Sequence, residues 1–382
     1  MDHITFLVAM VIVTALAFDF TNGFHDTANA MATSIATGAL RPKVAVLISG
    51  ALNLVGAFLS TEVAKTISGG IVNDALVTPG MIFAGLIGAI LWNLMTWLLG
   101  LPSSSSHALF GGLIGAVWVG AGRSGVHFDK VVEKILIPAV ASPIVAGLAA
   151  LGATYLAYRL TQRAKKDTVS RGFRSGQVAS ASLVSLAHGT NDAQKTMGVI
   201  TLALISCGAL GKNAGPPLWV ILTAGLAIAT GTYIGGWRII RTMGKGLVDI
   251  ESPQGFAAES AATAVILTSA NLGFALSTTQ VCSGGILGAG VGRKLAEVRW
   301  GTAGRMALAW LVTLPAAAVV GALAAGAVVH GGTLGTVLIA LAALAVAVVI
   351  VALSRRNPVH SENVNSVPHA SIDPARRAGA EA

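Results

Sequence analysis

Long apolar runs with almost no charge constrain this chain more than any other feature. They fall at 44–60, 81–99, 135–158, 217–235, 306–328 and 333–353. A helix needs roughly 20 such residues to cross a hydrocarbon core. In that solvent every backbone N–H and C=O must be satisfied inside a helix or a closed barrel, and apolar runs of this length select helices. Charged residues make up only 11% of the 382, against about 25% in soluble domains. An all-α polytopic membrane protein follows, with about 10–12 membrane segments expected from the number and spacing of the apolar stretches. The first run, ITFLVAMVIVTALAF, is followed by no small-residue cleavage site and reads as a span rather than a signal peptide. The 46 glycines suit helices whose backbones approach closely within a bilayer.

The pI near 9.9 raises the question of nucleic acid, and the placement of the basic residues answers it. Lysine and arginine gather in short connections, at Arg41 and Lys43, from Arg159 to Arg174, at Arg238, Arg241 and Lys245, at Arg293, Lys294 and Arg299, and at Arg355 and Arg356. That is a positive-inside pattern, and it excludes a nucleic-acid partner in favour of membrane lipid. Placing these clusters in the cytoplasm starts the N-terminus outside and brings the first segment inside at Arg41. The next spans alternate until 135–158 returns to a basic loop at 159–175. Cys207 and Cys282 form no disulfide framework.

Polar residues interrupt two of the apolar segments. The stretch NGFHDTANA (Asn22 to Ala30) has a counterpart, HGTNDAQKT (His188 to Thr196). Each is followed by an apolar span, a second apolar segment and a hydroxyl-rich helix start. These starts are LPSSSSHAL (Leu101 to Leu109) and LSTTQVCSG (Leu276 to Gly284). An odd number of crossings separates the two series, so the second runs in the opposite sense. Two inverted-topology repeats with broken helices or re-entrant hairpins are expected, and such repeats place a binding site at their interface in secondary transporters. The expected division is 1–158 for the first repeat with a connecting span, 159–175 for the basic loop and 176–292 for the second repeat. Residues 293–353 are read as C-terminal spans and 354–382 as a disordered tail.

Asn22, Asp26, Asn29 and Thr33 fall on one helical face, as do Asn191, Asp192 and Lys195. A carboxylate at membrane depth costs from about 2.5 kcal/mol upward, and finding two at matched positions points to a site. Helix-end Asx caps or a polar network between helices are the structural alternatives. Ser103, Ser104, Ser105 and Ser106 in one half, and Ser277, Thr278 and Thr279 in the other, stand at helix starts. There, hydroxyls, free N–H groups and the helix dipole favour an anion; ordinary N-capping is the competing explanation. Carboxylates and carboxamides suit a cation, whether Na⁺, H⁺ or a hard divalent metal. An anion and a cation at one midplane site describe a symporter. His25 titrates nearest to physiological pH and, with Lys195, favours proton coupling. His107 and His188 read as packing histidines, each with a hydrogen bond, and Glu259 as a residue near the cytoplasmic interface, with a buried carboxylate in the proton path as the alternative. Asn53, Asn93 and Asn271 read as hydrogen-bonders between helices.

The segments NGFHDTANAMATSIATGAL, LPSSSSHALFGGLIG, AHGTNDAQKTMGVI, GTYIGGWRIIRTMG, GFAAE and LSTTQVCSGGILGAG together resemble the inorganic phosphate transporter (PiT) family, of the bacterial low-affinity type, over about residues 4–330. The resemblance implies a dimeric carrier with inverted repeats moving phosphate with Na⁺ or H⁺. It places Asp26, Asn29, Asn191 and Asp192, with Ser103 to Ser106 and Ser277 to Thr279, around phosphate and ion. Two features depart from the wider family: His25 stands where asparagine is usual, and the second motif has Gln194 and Lys195 where many relatives carry an asparagine three beyond the aspartate.

The expected activity is therefore import of inorganic phosphate, free or as a neutral complex with Mg²⁺ or another divalent metal, by a multi-pass homodimer of the bacterial plasma membrane. The chain is not expected to be an enzyme or to hold a resident cofactor. The alternatives are a sulfate symporter of the same family, an intramembrane aspartyl hydrolase and an anion channel. Phosphate carries a hydroxyl that can donate to a carboxylate and sulfate does not, which favours phosphate.

Overall fold

A computed structural model describes residues 6–293 and 298–366. Within them the chain is helical apart from short connections and two isolated β-bridges, Val72–Val126 and Val248–Val298. The helices are α1 (Phe6–Ala36), α2 (Pro42–Gly56), α3 (Glu62–Gly70), α4 (Pro79–Leu99), α5 (Ser105–Ala121) and α6 (Phe128–Val131), which passes through a π turn into α7 (Ile137–Thr161). Then come α8 (Lys166–Ser206), α9 (Leu218–Ile234), α10 (Trp237–Arg241), α11 (Ser252–Asn271), α12 (Thr278–Arg293) and α13 (Trp300–Ser354). Gly332, at φ 56°, divides α13 into two arms.

Four helices are long and apolar enough to cross a membrane by themselves: α1, α4, the α6–α7 unit and α13. Among the described residues, α9 and the bent segment after it make a fifth if they are counted as one span. The remaining segments are shorter or richer in polar residues because they carry the motifs. The chain is a multi-pass helical membrane protein.

The motif helices are not broken. α1 stays helical through Asn22 to Ala30 and α8 through His188 to Thr196, because their polar side chains find partners on neighbouring helices and the backbone need not unwind. The interruptions fall instead between α4 and α5 and between α11 and α12. Gly100 ends α4 at φ 65° and Gly273 follows α11 at φ 70°. At both points the chain turns in the left-handed region that glycine enters without a Cβ clash. Ser104 then caps α5, accepting from the His107 N–H at 3.1 Å, and Ser277 accepts from the Gln280 N–H at 3.3 Å.

Both helix pairs are antiparallel hairpins. Gly120 lies on Met81 and Gly112 on Gly85, so α5 returns antiparallel along α4. α4 itself runs parallel to α1, with Gly80 near Leu7 and Thr96 at His25. The α4–α5 turn therefore sits beside the middle of α1, which continues to Ala36. Likewise α11 starts with Gly255 against Gln177 of α8 and its turn sits beside Asn191, while α8 continues to Ser206. α1 and α8 cross antiparallel. Thr37 meets Gln177 at one end, Asp26 approaches His188 in the middle, and Asp19 faces Thr196 at the other.

The close packings come in matched sets. α1 packs on α9 through Gly23 and Gly231, and α8 on α2 through Gly189 and Gly56. α5 packs on α13 at Gly111 and Gly115, and α12 on α7 at Gly284 and Gly288. A Cβ on Gly23 would stand 2.3 Å from the Ile228 carbonyl oxygen, and one on Gly189 2.3 Å from that of Asn53. The contacts are backbone to backbone, the packing that small residues permit in membranes.

Two expectations need correction. Segment 159–175 is mostly helical: α7 runs to Thr161, and α8 begins at Lys166 with Asp167 in its first turn, where a carboxylate suits the helix dipole. The tail is ordered at its start. Arg238 donates to the carbonyls of Ser354 and Asn357, Asn365 donates to the Ile35 carbonyl at 3.2 Å, and Val364 is buried. Residues 367–382 of the expected tail lie outside the described residues.

Candidate functional site

The two hairpin turns meet at the α1–α8 crossing, where Ser106 Oγ donates to the Leu276 carbonyl at 3.1 Å. Around this point the aspartates of both motifs, Asn29, Asn191, His25, Lys195 and the hydroxyls of both helix starts form a buried network. On α1, His25 Nδ1 lies 2.7 Å from Asp26 Oδ1, and its Nε2 lies 3.2 Å from Thr96 Oγ1 and 3.3 Å from Ser103 Oγ. Ser105 Oγ donates to Asp26 Oδ1 at 3.0 Å, and Thr279 Oγ1 donates to the same atom at 3.3 Å. Asn29 Nδ2 reaches Thr278 and Thr279, both at 3.2 Å.

On α8, Lys195 Nζ donates to Asp192 Oδ1 at 2.6 Å and to Ser106 Oγ at 2.6 Å. Asn191 Nδ2 donates to Asp192 Oδ1 at 2.8 Å and Thr278 Oγ1 to Oδ2 at 3.2 Å. A hydroxyl from each hairpin thus touches a carboxylate or its counter-ion on each motif helix. A buried charge is tolerated when paired and hydrogen-bonded, and here the pairing joins α1, α5, α8 and α12.

His188 is packed with a hydrogen bond, its Nδ1 3.3 Å from Asn53 Oδ1, and its other nitrogen faces both carboxylates. Its Nε2 lies 3.3 Å from Asp192 Oδ2 and 4.0 Å from Asp26 Oδ2, a cationic bridge when protonated. Asp26, His188 and Asp192 can bring one donor atom each within 4.8 Å of one another, and carboxylate and imidazole donors of this kind take a divalent cation. Glu259 lies toward the end of α1 that the charge pattern places inside, against Thr33. It is buried, accepts from Thr33 at 2.6 Å and from Gln177 at 3.3 Å, and accepts from Ser180 as well.

Ser104 and Ser277 stand apart from the other hydroxyls, since their oxygens accept from helix N–H groups. Gln194 has a local role: its Oε1 accepts from the N–H groups of Val63 and Ala64 and so caps α3. Asp19 is a buried carboxylate that the sequence reading missed. It lies one turn before Asn22 and seven residues before Asp26, so the periodicity that collected Asn22, Asp26, Asn29 and Thr33 includes it.

The profile of the phosphate transporter family covers residues 22–321. The chain belongs to that family. It is 58% identical over 383 residues to a Mycobacterium tuberculosis (strain ATCC 25618 / H37Rv) protein named "Probable low-affinity inorganic phosphate transporter", covering 98% of this chain and 91% of that one. A Bacillus subtilis (strain 168) protein of the same name is 42% identical over 333 residues, covering 85% of this chain and 98% of that one. A solved structure titled "The sodium-dependent phosphate transporter" superposes with a TM-score of 0.75 over 84% of this chain and 98% of its own, at 24% identity. It establishes the shared phosphate transporter fold.

Proposed function

We propose that this protein imports inorganic phosphate across the bacterial plasma membrane by symport with a cation, H⁺ or Na⁺. The observation that carries this is the convergence of the α5 and α12 starts on Asp26 and Asp192, deep in the helix bundle. Family membership and the bacterial relatives support the cargo and the membrane. The matched hairpins and antiparallel motif helices support two inverted-topology repeats, with alternating access from one bundle rocking against the other.

Phosphate would lie against the hydroxyls of Ser103, Ser105, Ser106, Thr278 and Thr279 and the N–H groups of the two first turns. Helix N-termini bind oxyanions in this way. Ser104 and Ser277 would shape the turns and could still offer their O–H groups. Lys195 supplies positive charge that lets an anion approach two aspartates, and His25 and His188 add to it when protonated. A protonated oxygen of HPO₄²⁻ or H₂PO₄⁻ can donate to a carboxylate, which sulfate cannot. A divalent metal carried with phosphate would fall to Asp26, His188 and Asp192, with Asn29 and Asn191 nearby. The functional unit we infer is a homodimer in lipid.

The test is phosphate uptake by purified protein in liposomes, with pH and Na⁺ gradients imposed separately. Accumulation driven by either gradient supports symport. Sulfate blocking phosphate uptake at equal concentration, with no reverse block, would sink the phosphate assignment. Gradient-independent conductance would indicate a channel.

A further inference from the structure

We propose that Asp19, with Asn22 and Thr196, forms a proton-binding site separate from the phosphate site, and that its carboxylate carries the coupling proton. This rests on the symport reading above and specifies its ion. Asp26 is already held by His25 and the Ser105 hydroxyl, and Asp192 by Lys195 and the Thr278 hydroxyl. Asp19 is fully buried, and neither of its oxygens has a hydrogen-bond partner. The side chains facing it are Thr196 of α8 and Asn22 of its own helix. The Thr196 hydroxyl and both polar atoms of the Asn22 carboxamide are also without partners.

An ionised Asp19 can accept from the Asn22 and Thr196 donors but leaves the Asn22 carbonyl oxygen unpaired, and a proton supplies the missing donor. A protonated carboxyl donates one O–H, and its other oxygen accepts. The Asn22 carboxamide offers one acceptor and donors, and Thr196 offers a hydroxyl. Sodium would use the oxygens but leave the Asn22 N–H groups unpaired. It would also find the backbone carbonyls of α1 and α8 engaged in continuous helix. An ionised Asp19, buried with no counter-charge in contact, is the costly state, so loss of the proton favours movement of the surrounding helices.

The titratable groups near Asp19 from α8 are Asp192 and His188. The adjacent α4 has no titratable side chain, and α9 has only Tyr233, which is exposed. Seven residues of helix separate Asp19 from Asp26, about 10 Å, toward the end of α1 that the charge pattern places outside. A proton from external water would bind a carboxylate oxygen there, and the same bond would break to internal water after reorientation.

Asp19→Asn keeps the shape and removes the proton carrier. In proteoliposomes it should retain phosphate–phosphate exchange and lose accumulation driven by a pH gradient. Accumulation at the wild-type level, or loss of exchange together with accumulation in correctly inserted protein, overturns the proposal. So does wild-type accumulation that follows Na⁺ and ignores pH. Infrared spectra of the purified protein test protonation independently of transport: a protonated-carboxyl carbonyl band should weaken in Asp19→Asn. An unchanged band overturns the assignment of the proton, whereas absence of phosphate exchange in the wild type alongside a band lost in Asp19→Asn fails only the cargo.

Discussion

Replacing Lys195 with methionine removes a charge while keeping most of the side-chain volume. Lys195 is 1% exposed and spans 2.6 Å contacts to Asp192 and to Ser106. Removing one partner of a buried ion pair costs about 3–5 kcal/mol, because the other charge is left in the interior. Asp192 keeps the donors Asn191 and Thr278, each worth about 1 kcal/mol, so the expected loss lies near the lower limit, about 3 kcal/mol. At about 2 °C per kcal/mol for a large chain, Tm should fall by roughly 6 °C. The assay is thermal unfolding in one detergent for the wild type, Lys195→Met, Asp192→Asn and the double variant. The double variant should recover most of the loss, since no charge is then stranded. A Lys195→Met protein as stable as the wild type, or a double variant that loses the sum of the single effects, would refute the buried-pair argument.

Asp26→Asn and Asp192→Asn should each abolish phosphate uptake while leaving membrane insertion intact; wild-type uptake by either disproves the site. Ser105→Ala removes a donor to Asp26 and should raise the KM for phosphate more than it lowers kcat, as initial-rate uptake will show. Ser104→Ala instead removes a cap and should cost about 1 kcal/mol of stability, with a weaker apparent affinity as the hairpin start loosens. Gly189→Ala pushes a Cβ against the Asn53 backbone and should cost about 1–3 kcal/mol. Gly172→Ala in the same helix meets nothing within 4 Å and should be neutral or stabilising by up to about 1 kcal/mol; equal effects in thermal unfolding would count against the crossing geometry.

Much of this was legible in one dimension. The apolar runs located α4, α9 and both arms of α13 to within a few residues, because burial in lipid leaves an unambiguous length signal. The matched hydroxyl starts and aspartate motifs identified the residues that meet at the hairpin turns. The sequence was less informative where a choice depends on what lies across a helix interface. A polar run resembles a break, yet α1 continues through His25 and Asp26 because Ser105 and Thr279 supply hydrogen bonds from the side. His188 looks like a core imidazole until the crossing of α1 and α8 sets it between two carboxylates. Asp19 lay on the scanned face, but nothing in a single sequence shows that its partners are uncharged.

Lys195 stands where the α1 motif has Asn29, and this asymmetry has a thermodynamic consequence. A cation fixed to a helix balances charge at the centre but cannot be left behind on the other side of the membrane. It therefore contributes nothing to the driving force. An ion that crosses with phosphate contributes its electrochemical gradient, about 2.3 kcal/mol per charge for each 100 mV, or about 50-fold in the attainable concentration ratio. A carrier that replaces a travelling ion with a tethered one holds its cargo equally well at a lower ceiling of accumulation. Such a carrier serves a cell best when external phosphate is plentiful.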